Sequence, residues 1–214
     1  FSGVGSALRG GLSHHQSGRF AQAEQVYRES LASDQNCALA WYLLGALANQ
    51  AGRPEVGLEM ITRALQLGLR SPEVFNHLGE CYRCLGRNEE AIQSYQSALQ
   101  MNPQQAEAMS NLGLVLNTLG RYAESLPLLE KAVGLRPDLV EAHYHFGIAL
   151  DNLGKLDEAI GQWEQTLRLQ PDHLSAMSRL GVGLQRRGHI KGALGVLSEL
   201  VKRYPDFAEG YANY

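Results

Sequence analysis

Glycine returns every 34 residues, at Gly11, Gly45, Gly79, Gly113, Gly147 and Gly181, and a second glycine follows each seven residues later, from Gly18 to Gly188. Six units of that length account for 204 of the 214 residues. Self-similarity at a fixed period builds stacked copies of one small element, each burying its apolar face on the next, and not one globular core. The period predicts repeats at 4–37, 38–71, 72–105, 106–139, 140–173 and 174–207, a partial repeat at 208–214, and one continuous array over 1–214.

The unit itself reads as a helical hairpin. In the fourth copy, Met109, Leu112, Gly113 and Leu116 fall at i, i+3, i+4 and i+7, one face of a helix. Gly120 ends that helix, because glycine adopts left-handed C-cap angles without a Cβ penalty. Ser125, Leu128, Leu129, Ala132 and Val133 give a second apolar face, and Pro137 closes it. Gly113 lies inside its helix, where it costs about 1 kcal/mol relative to alanine. Six such glycines imply a neighbouring helix too close for a side chain. A small residue recurs twelve positions on (Ala23, Gly57, Ala91, Ser125, Ala159, Ala193), and a large one sixteen positions on (Tyr27, Ile61, Tyr95, Leu129, Trp163, Leu197). The glycine rows predict that Gly113→Leu disrupts the stack.

The pattern W-x2-L-G-x2-Y, A-x3-F, P is similar to that of the tetratricopeptide repeat. The third copy nearly spells it, with Phe75, Leu78, Gly79, Tyr82, Ala91, Tyr95, Ala98 and Pro103. Departures cluster at the ends: Ala7, Gly10 and Gln35 in the first copy, Leu69 in the second, Leu200 in the sixth. The resemblance implies an all-α, right-handed superhelical solenoid whose first helices line a concave groove that takes extended peptide. The stretches from His14 to Leu31 and from Trp41 to Leu65 also resemble the N-terminal repeats of bacterial proteins that join such arrays to O-GlcNAc-transferase-like, sulfotransferase or methyltransferase domains. That likeness implies a recognition arm for a catalytic domain elsewhere in a parent chain.

A net charge of −3 argues against a nucleic-acid binder. The longest apolar run, Cys37 to Ala48, is far below the ~18 residues of a membrane span. Three cysteines make no disulfide framework and fit a reducing compartment, so a cytoplasmic location is expected. Cys81-x-x-Cys84 invites a redox or zinc reading, yet both cysteines lie inside a helix with no second ligand pair at suitable spacing. The seven histidines are scattered over different faces, and no nucleophile elbow, P-loop or dinucleotide fingerprint is present. No catalytic residue, metal site or cofactor is therefore assigned. The ladder Arg19, Arg53, Arg87, Arg121, Lys155, His189 follows each hairpin glycine, where cations offset the dipole of the first helix and meet acids opening the second.

Function is expected on the surface opposite the packed face of the first helices. Those slots hold Asn76, His77, Glu80, Arg83, Ser110, Asn111, Asn117, Tyr144, His145, Asp151 and Arg179, with Thr118 and Asn152 beside them. Amides carry both donor and acceptor, so they can pair with a peptide backbone of any sequence. Asn76, Asn111 and Tyr144 are expected to be exposed and their replacement nearly neutral for stability. Leu114, Ile148 and Val182 form either an exposed apolar strip or buried packing. Two known groove chemistries of the family are not matched here. The asparagine slot of the chaperone-tail carboxylate clamp holds Leu12, Ala46, Glu80, Leu114, Ile148 and Val182. Of the transferases' asparagine ladder only Asn111 and Asn213 remain. The partner expected is an extended peptide or protein segment, neither nucleic acid nor membrane. At the C-terminus, Asp206 and Glu209 read as a capping box opening a further helix carrying Tyr211 and Tyr214. Leu197, Leu200 and Val201 would then form an exposed apolar end, giving weak self-association.

Overall fold

The structure, a computed structural model, describes residues 2–205, with side chains from Leu8 onward. The expectations for Asp206, Glu209, Tyr211, Asn213 and Tyr214 lie outside the described residues. Among those described, the chain forms twelve helices and no strand. In order they are α1 (Ser2–Gln16), α2 (Phe20–Ser33), α3 (Ala38–Gln50), α4 (Pro54–Gln66), α5 (Pro72–Cys84), α6 (Asn88–Met101), α7 (Ala106–Thr118), α8 (Tyr122–Leu135), α9 (Val140–Asn152), α10 (Leu156–Leu169), α11 (Leu174–Arg186) and α12 (Ile190–Arg203). Odd-numbered helices are the first helices of the six hairpins. Helices α1–α6 form one compact unit and α7–α12 a second, the division falling between the third and fourth repeats. Within each unit, every helix packs on its sequence neighbours, as in a helical repeat solenoid.

Each hairpin corner closes through its own backbone. Gly120 has φ +74°, its N–H donates to the Asn117 carbonyl at 3.0 Å, and the Arg121 N–H reaches back to the Leu116 carbonyl at 2.8 Å. This six-to-one bond satisfies carbonyls that a helix end leaves open. The second repeat lacks a proline at its end, and Gly68 substitutes for it with φ +91° and a Leu69 N–H to Ala64 carbonyl bond of 3.1 Å. Ser71 then caps α5, its Oγ accepting from the Val74 N–H at 3.4 Å, with Pro72 in the first turn. The basic ladder pairs locally: Arg87 with Glu90 and Arg121 with Glu124 at 2.7 Å, Lys155 with Glu158 at 3.5 Å. Such exposed pairs contribute at most about 1 kcal/mol each.

The glycine rows mark the tight crossings. A Cβ on Gly113 would lie 2.6 Å from Leu129 Cγ, and one on Gly79 would lie 2.6 Å from the Tyr95 ring. In the second hairpin both partners are glycine. A Cβ on Gly57 would meet the Gly45 carbonyl oxygen at 2.9 Å and Cys81 Sγ at 3.0 Å. Backbone there replaces side chain as the contacting surface. Cys81 itself is fully buried, and burial followed by the charge of Glu80 pushes its thiol up to about 12, so it serves as packing.

Of the expected apolar end, Val201 is half-buried and the two leucines are not exposed. Leu197 and Leu200 are buried in a cluster with Met177, against which Leu167, Leu174, Val196 and Tyr204 pack. The exposed apolar residues of α12 are instead Ile190 and Leu194, one turn apart and each about half exposed.

Candidate functional site on the first-helix faces

In the first unit, α1, α3 and α5 together with the start of α2 enclose a cleft of about 460 Å³. Leu12, Leu43 and Ala46 form its floor, and Phe20, half exposed, and Tyr42 its aromatic walls. Two hydrogen-bonded pairs fix the rim. The His15 Nε2–H donates to Gln50 Oε1 at 2.7 Å, which leaves Nδ1 to accept from the Tyr27 hydroxyl at 3.4 Å. The Tyr42 hydroxyl donates to His77 Nδ1 at 2.7 Å, and His77 Nε2 lies 4.0 Å from Glu80 Oε2. Burial, then the charges of Glu73 and Glu80, push the Tyr42 phenol above its usual range, so it stays a proton donor. The cleft is thus apolar within and polar at its edge.

The second unit presents a different surface. Between α9 and α11 lies a polar cleft of about 270 Å³ lined by Asp151, Trp163, Ser178, Arg179, Val182 and Arg186. Arg186 Nη1 donates to Asp151 Oδ1 at 2.6 Å, the Asp151 side chain being only 12% exposed. Asp151 and Arg186 occupy the same repeat slots as His15 and Gln50, four and five residues after the repeat glycine. Each pair joins residues 35 apart, one repeat plus one position. These slots therefore tie neighbouring first helices together.

Four of the eleven expected groove residues are buried. Asn76, Ser110, Asn117 and His145 are less than 9% exposed, so they do not stand open to solvent as their slots imply. Asn117 shows the reason. Its Nδ2 donates to the His145 carbonyl at 2.9 Å, and its Oδ1 accepts from Ser125 Oγ at 2.5 Å. The amide that sequence assigns to a ligand backbone is spent on the neighbouring helix. For Asn76, burial raises the cost expected of its replacement. His77, Glu80, Arg83, Asn111, Tyr144 and Asp151 are partly exposed, and Arg179 is exposed. Leu114, Ile148 and Val182 are all half-buried, between the two alternatives open for them. The cleft residues Leu12, His15, Tyr42 and Gln50 occupy in the first two repeats the same slots as groove candidates of later repeats, and only Phe20 stands outside those slots.

Tyr144 is turned towards two histidines, its ring 5.1 Å from His145 and 4.7 Å from His173. His173 caps α11, its Nδ1 accepting from the Ala176 N–H at 3.1 Å. Its Nε2 lies 3.5 Å from Glu141 Oε1, and His145 Nε2 lies 3.6 Å from Oε2. The His173 hydrogen bond, ahead of the His145 charge, holds the Glu141 carboxyl below the ordinary carboxylate range against an opposing burial effect. A depressed carboxyl stabilises the fold above its unfolded pKa, near 4.3, and that contribution disappears as pH falls through the lower folded value. Glu141 is 59% exposed, so screening limits the effect to under about 1 kcal/mol. Glu141→Gln is expected to lower the urea midpoint at pH 6.5, and the difference from wild type is expected to shrink as the pH falls.

Among the described residues no helix is long and apolar enough to cross a membrane, and no three of His, Cys, Asp or Glu gather as a metal would require. Stacked hairpins with a cleft on the first-helix face of each unit define a helical-repeat protein, a fold that suggests a scaffold for protein–protein interaction. Four family models, each described as tetratricopeptide repeat, match residues 8–68, 71–138, 116–180 and 175–206. The chain belongs to the tetratricopeptide-repeat family. No match emerges among curated protein sequences. Among solved structures, the chain is similar to YrrB, described as a TPR protein with an unusual peptide-binding site. That match has 25% identity over 87% of this chain and 96% of YrrB, with a TM-score of 0.67. It shares its fold with PilF of Pseudomonas aeruginosa (21% identity, 98% and 95% coverage, TM-score 0.86). PilW, a type IV pilus biogenesis factor, shares it too (18% identity, 98% and 97% coverage, TM-score 0.82).

Proposed function

We propose that this chain is an interaction scaffold that holds an extended peptide or protein segment on its first-helix faces. The observation that carries this reading is the first-unit cleft, whose apolar floor and hydrogen-bonded rim are fixed before any ligand arrives. A rigid cleft loses little entropy on binding, and its half-exposed Phe20 offers apolar surface to a guest side chain. The peptide-binding site of YrrB supports the same class of ligand. His77, Glu80 and Arg83 extend the surface in the first unit; Asn111, Tyr144, Asp151 and Arg179 supply it in the second. The likeness of the first two repeats to arrays joined to transferase domains supports a role as the substrate-recognition arm of a larger enzyme. A cytoplasmic setting, where Cys37, Cys81 and Cys84 stay as the free thiols seen here, belongs to this reading.

The test is an array of random dodecapeptides, with the best binder remeasured by fluorescence anisotropy. Phe20→Glu and Leu12→Glu are each expected to weaken it about tenfold, which is about 1.4 kcal/mol. At Phe20 the stability cost stays near 0.5 kcal/mol, since the ring is half exposed. Unchanged affinity in both variants rejects the cleft as the site. A second reading, self-association, rests on the exposed Ile190 and Leu194 pair. Sedimentation that rises with concentration in wild type but not in Ile190→Ser/Leu194→Ser would favour it.

A further inference from the structure

Charge is unevenly divided in the second unit. From Leu174 to Arg203 the chain carries Arg179, Arg186, Arg187, Lys191, Lys202 and Arg203 against the single acid Glu199, an excess of five positive charges. From Ala106 to His173 the balance is reversed, with ten acids and five bases. Among the described residues, ion pairs tie down three of the six cations: Arg186 to Asp151, Arg187 to Asp157 at 2.6 Å, and Arg203 to Glu199 at 2.5 Å. Arg179 is exposed and has no ion pair among the described residues.

We infer that the polar cleft between α9 and α11 is a binding site for one acidic side chain of a bound peptide, with Arg179 as its principal anchor. Arg179, Val182 and Arg186 lie at i, i+3 and i+7, so the three share one face of α11. The two guanidinium groups leave that helix about 10 Å apart along its axis. Gly183 also lines the cleft, and its lack of a side chain lets α11 approach closely: a Cβ there would lie 3.0 Å from the Trp163 ring. Asp151 sets the valence of the site. It neutralises Arg186 and holds its fork in place, so one positive charge is left uncompensated. A planar guanidinium pairs with a carboxylate through two parallel hydrogen bonds, which suits a single Asp or Glu side chain. The surrounding positive excess draws an acidic segment to this hairpin, while the acidic surface of the two preceding hairpins repels it. This inference rests on the reading of the first-helix faces as binding surfaces, but at a site separate from the apolar cleft.

The probe is a fluorescein-labelled hexaglutamate peptide, acetylated and amidated so that no terminal carboxylate contributes, followed by anisotropy at 50 mM salt. Arg179→Glu is expected to weaken binding at least tenfold. Arg203→Glu makes the same change in net charge on α12, away from the cleft, and is expected to stay within about twofold. Arg179→Lys should recover only part of the loss, since an ammonium cannot form the bidentate pair. Phe20→Glu, in the other unit, should leave this probe unaffected, so failure of the apolar-cleft reading stays distinguishable. Equal weakening by Arg179→Glu and Arg203→Glu would show diffuse attraction only and overturn the site. No detectable binding of the peptide, or inorganic phosphate displacing it as well as free glutamate does, overturns it equally.

Discussion

Leucine at Gly57 is expected to lower stability by about 3 kcal/mol or more, beyond the usual 1–3 kcal/mol of an overpacked site. The reason lies in what the new side chain meets. The Cβ alone would sit 2.9 Å from the Gly45 carbonyl oxygen, and a backbone atom cannot rotate out of the way. Relief requires α3 and α4 to separate, which unseats Ile61 from the core it shares with Val74, Leu78 and Cys81. Gly113→Ala is a milder comparison, because its obstacle is the side chain of Leu129. It should cost less than Gly57→Leu and still be clearly destabilising. Urea unfolding of both variants gives the order; a Gly57→Leu protein with a wild-type midpoint would refute the close crossing.

Asn117→Ala is expected to cost about 1–2 kcal/mol, although its slot reads as ligand-facing. Truncation leaves the Ser125 hydroxyl with only its 3.0 Å bond to the Tyr122 carbonyl and removes the side-chain bond to the His145 carbonyl. Asn117→Asp should cost at least as much. It keeps an acceptor for Ser125 but sets a buried carboxylate against the His145 carbonyl, where the amide had donated. Both variants should leave binding of the hexaglutamate probe unchanged once allowance is made for the folded fraction. A neutral Asn117→Ala in urea would return that residue to the exposed surface.

The hairpin and its period are legible in the sequence because glycine, small and large residues recur at fixed offsets within one copy. Gly113, Leu129 and Gly120 each do what their offsets say. The first-helix face is less legible, since its exposure depends on how near the next copy stands, and that distance is absent from a single-copy pattern. Asn117 and His145 are buried for this reason. The ties between copies have a signal of their own: complementary side chains 35 apart, as in His15 with Gln50 and Asp151 with Arg186. A period of 34 hides an offset of 35. The apolar cleft is less legible because Phe20 lies outside the groove slots, and only α1, α3, α5 and the start of α2 together bring it over Leu12.

Within each unit the principal contacts join helices that are adjacent in sequence, or one apart, as for α3 with α5 and α7 with α9. Such a chain searches little conformational space before native neighbours meet, and low contact order places folding on the microsecond-to-millisecond scale. Locality also divides cooperativity. A hairpin can open while its neighbours stay docked, so amide exchange is expected to grade along the array instead of reporting one global event. On the proposed reading, in which the array receives a segment of another chain, opening one hairpin at a time gives the guest a route in without dissolving the host.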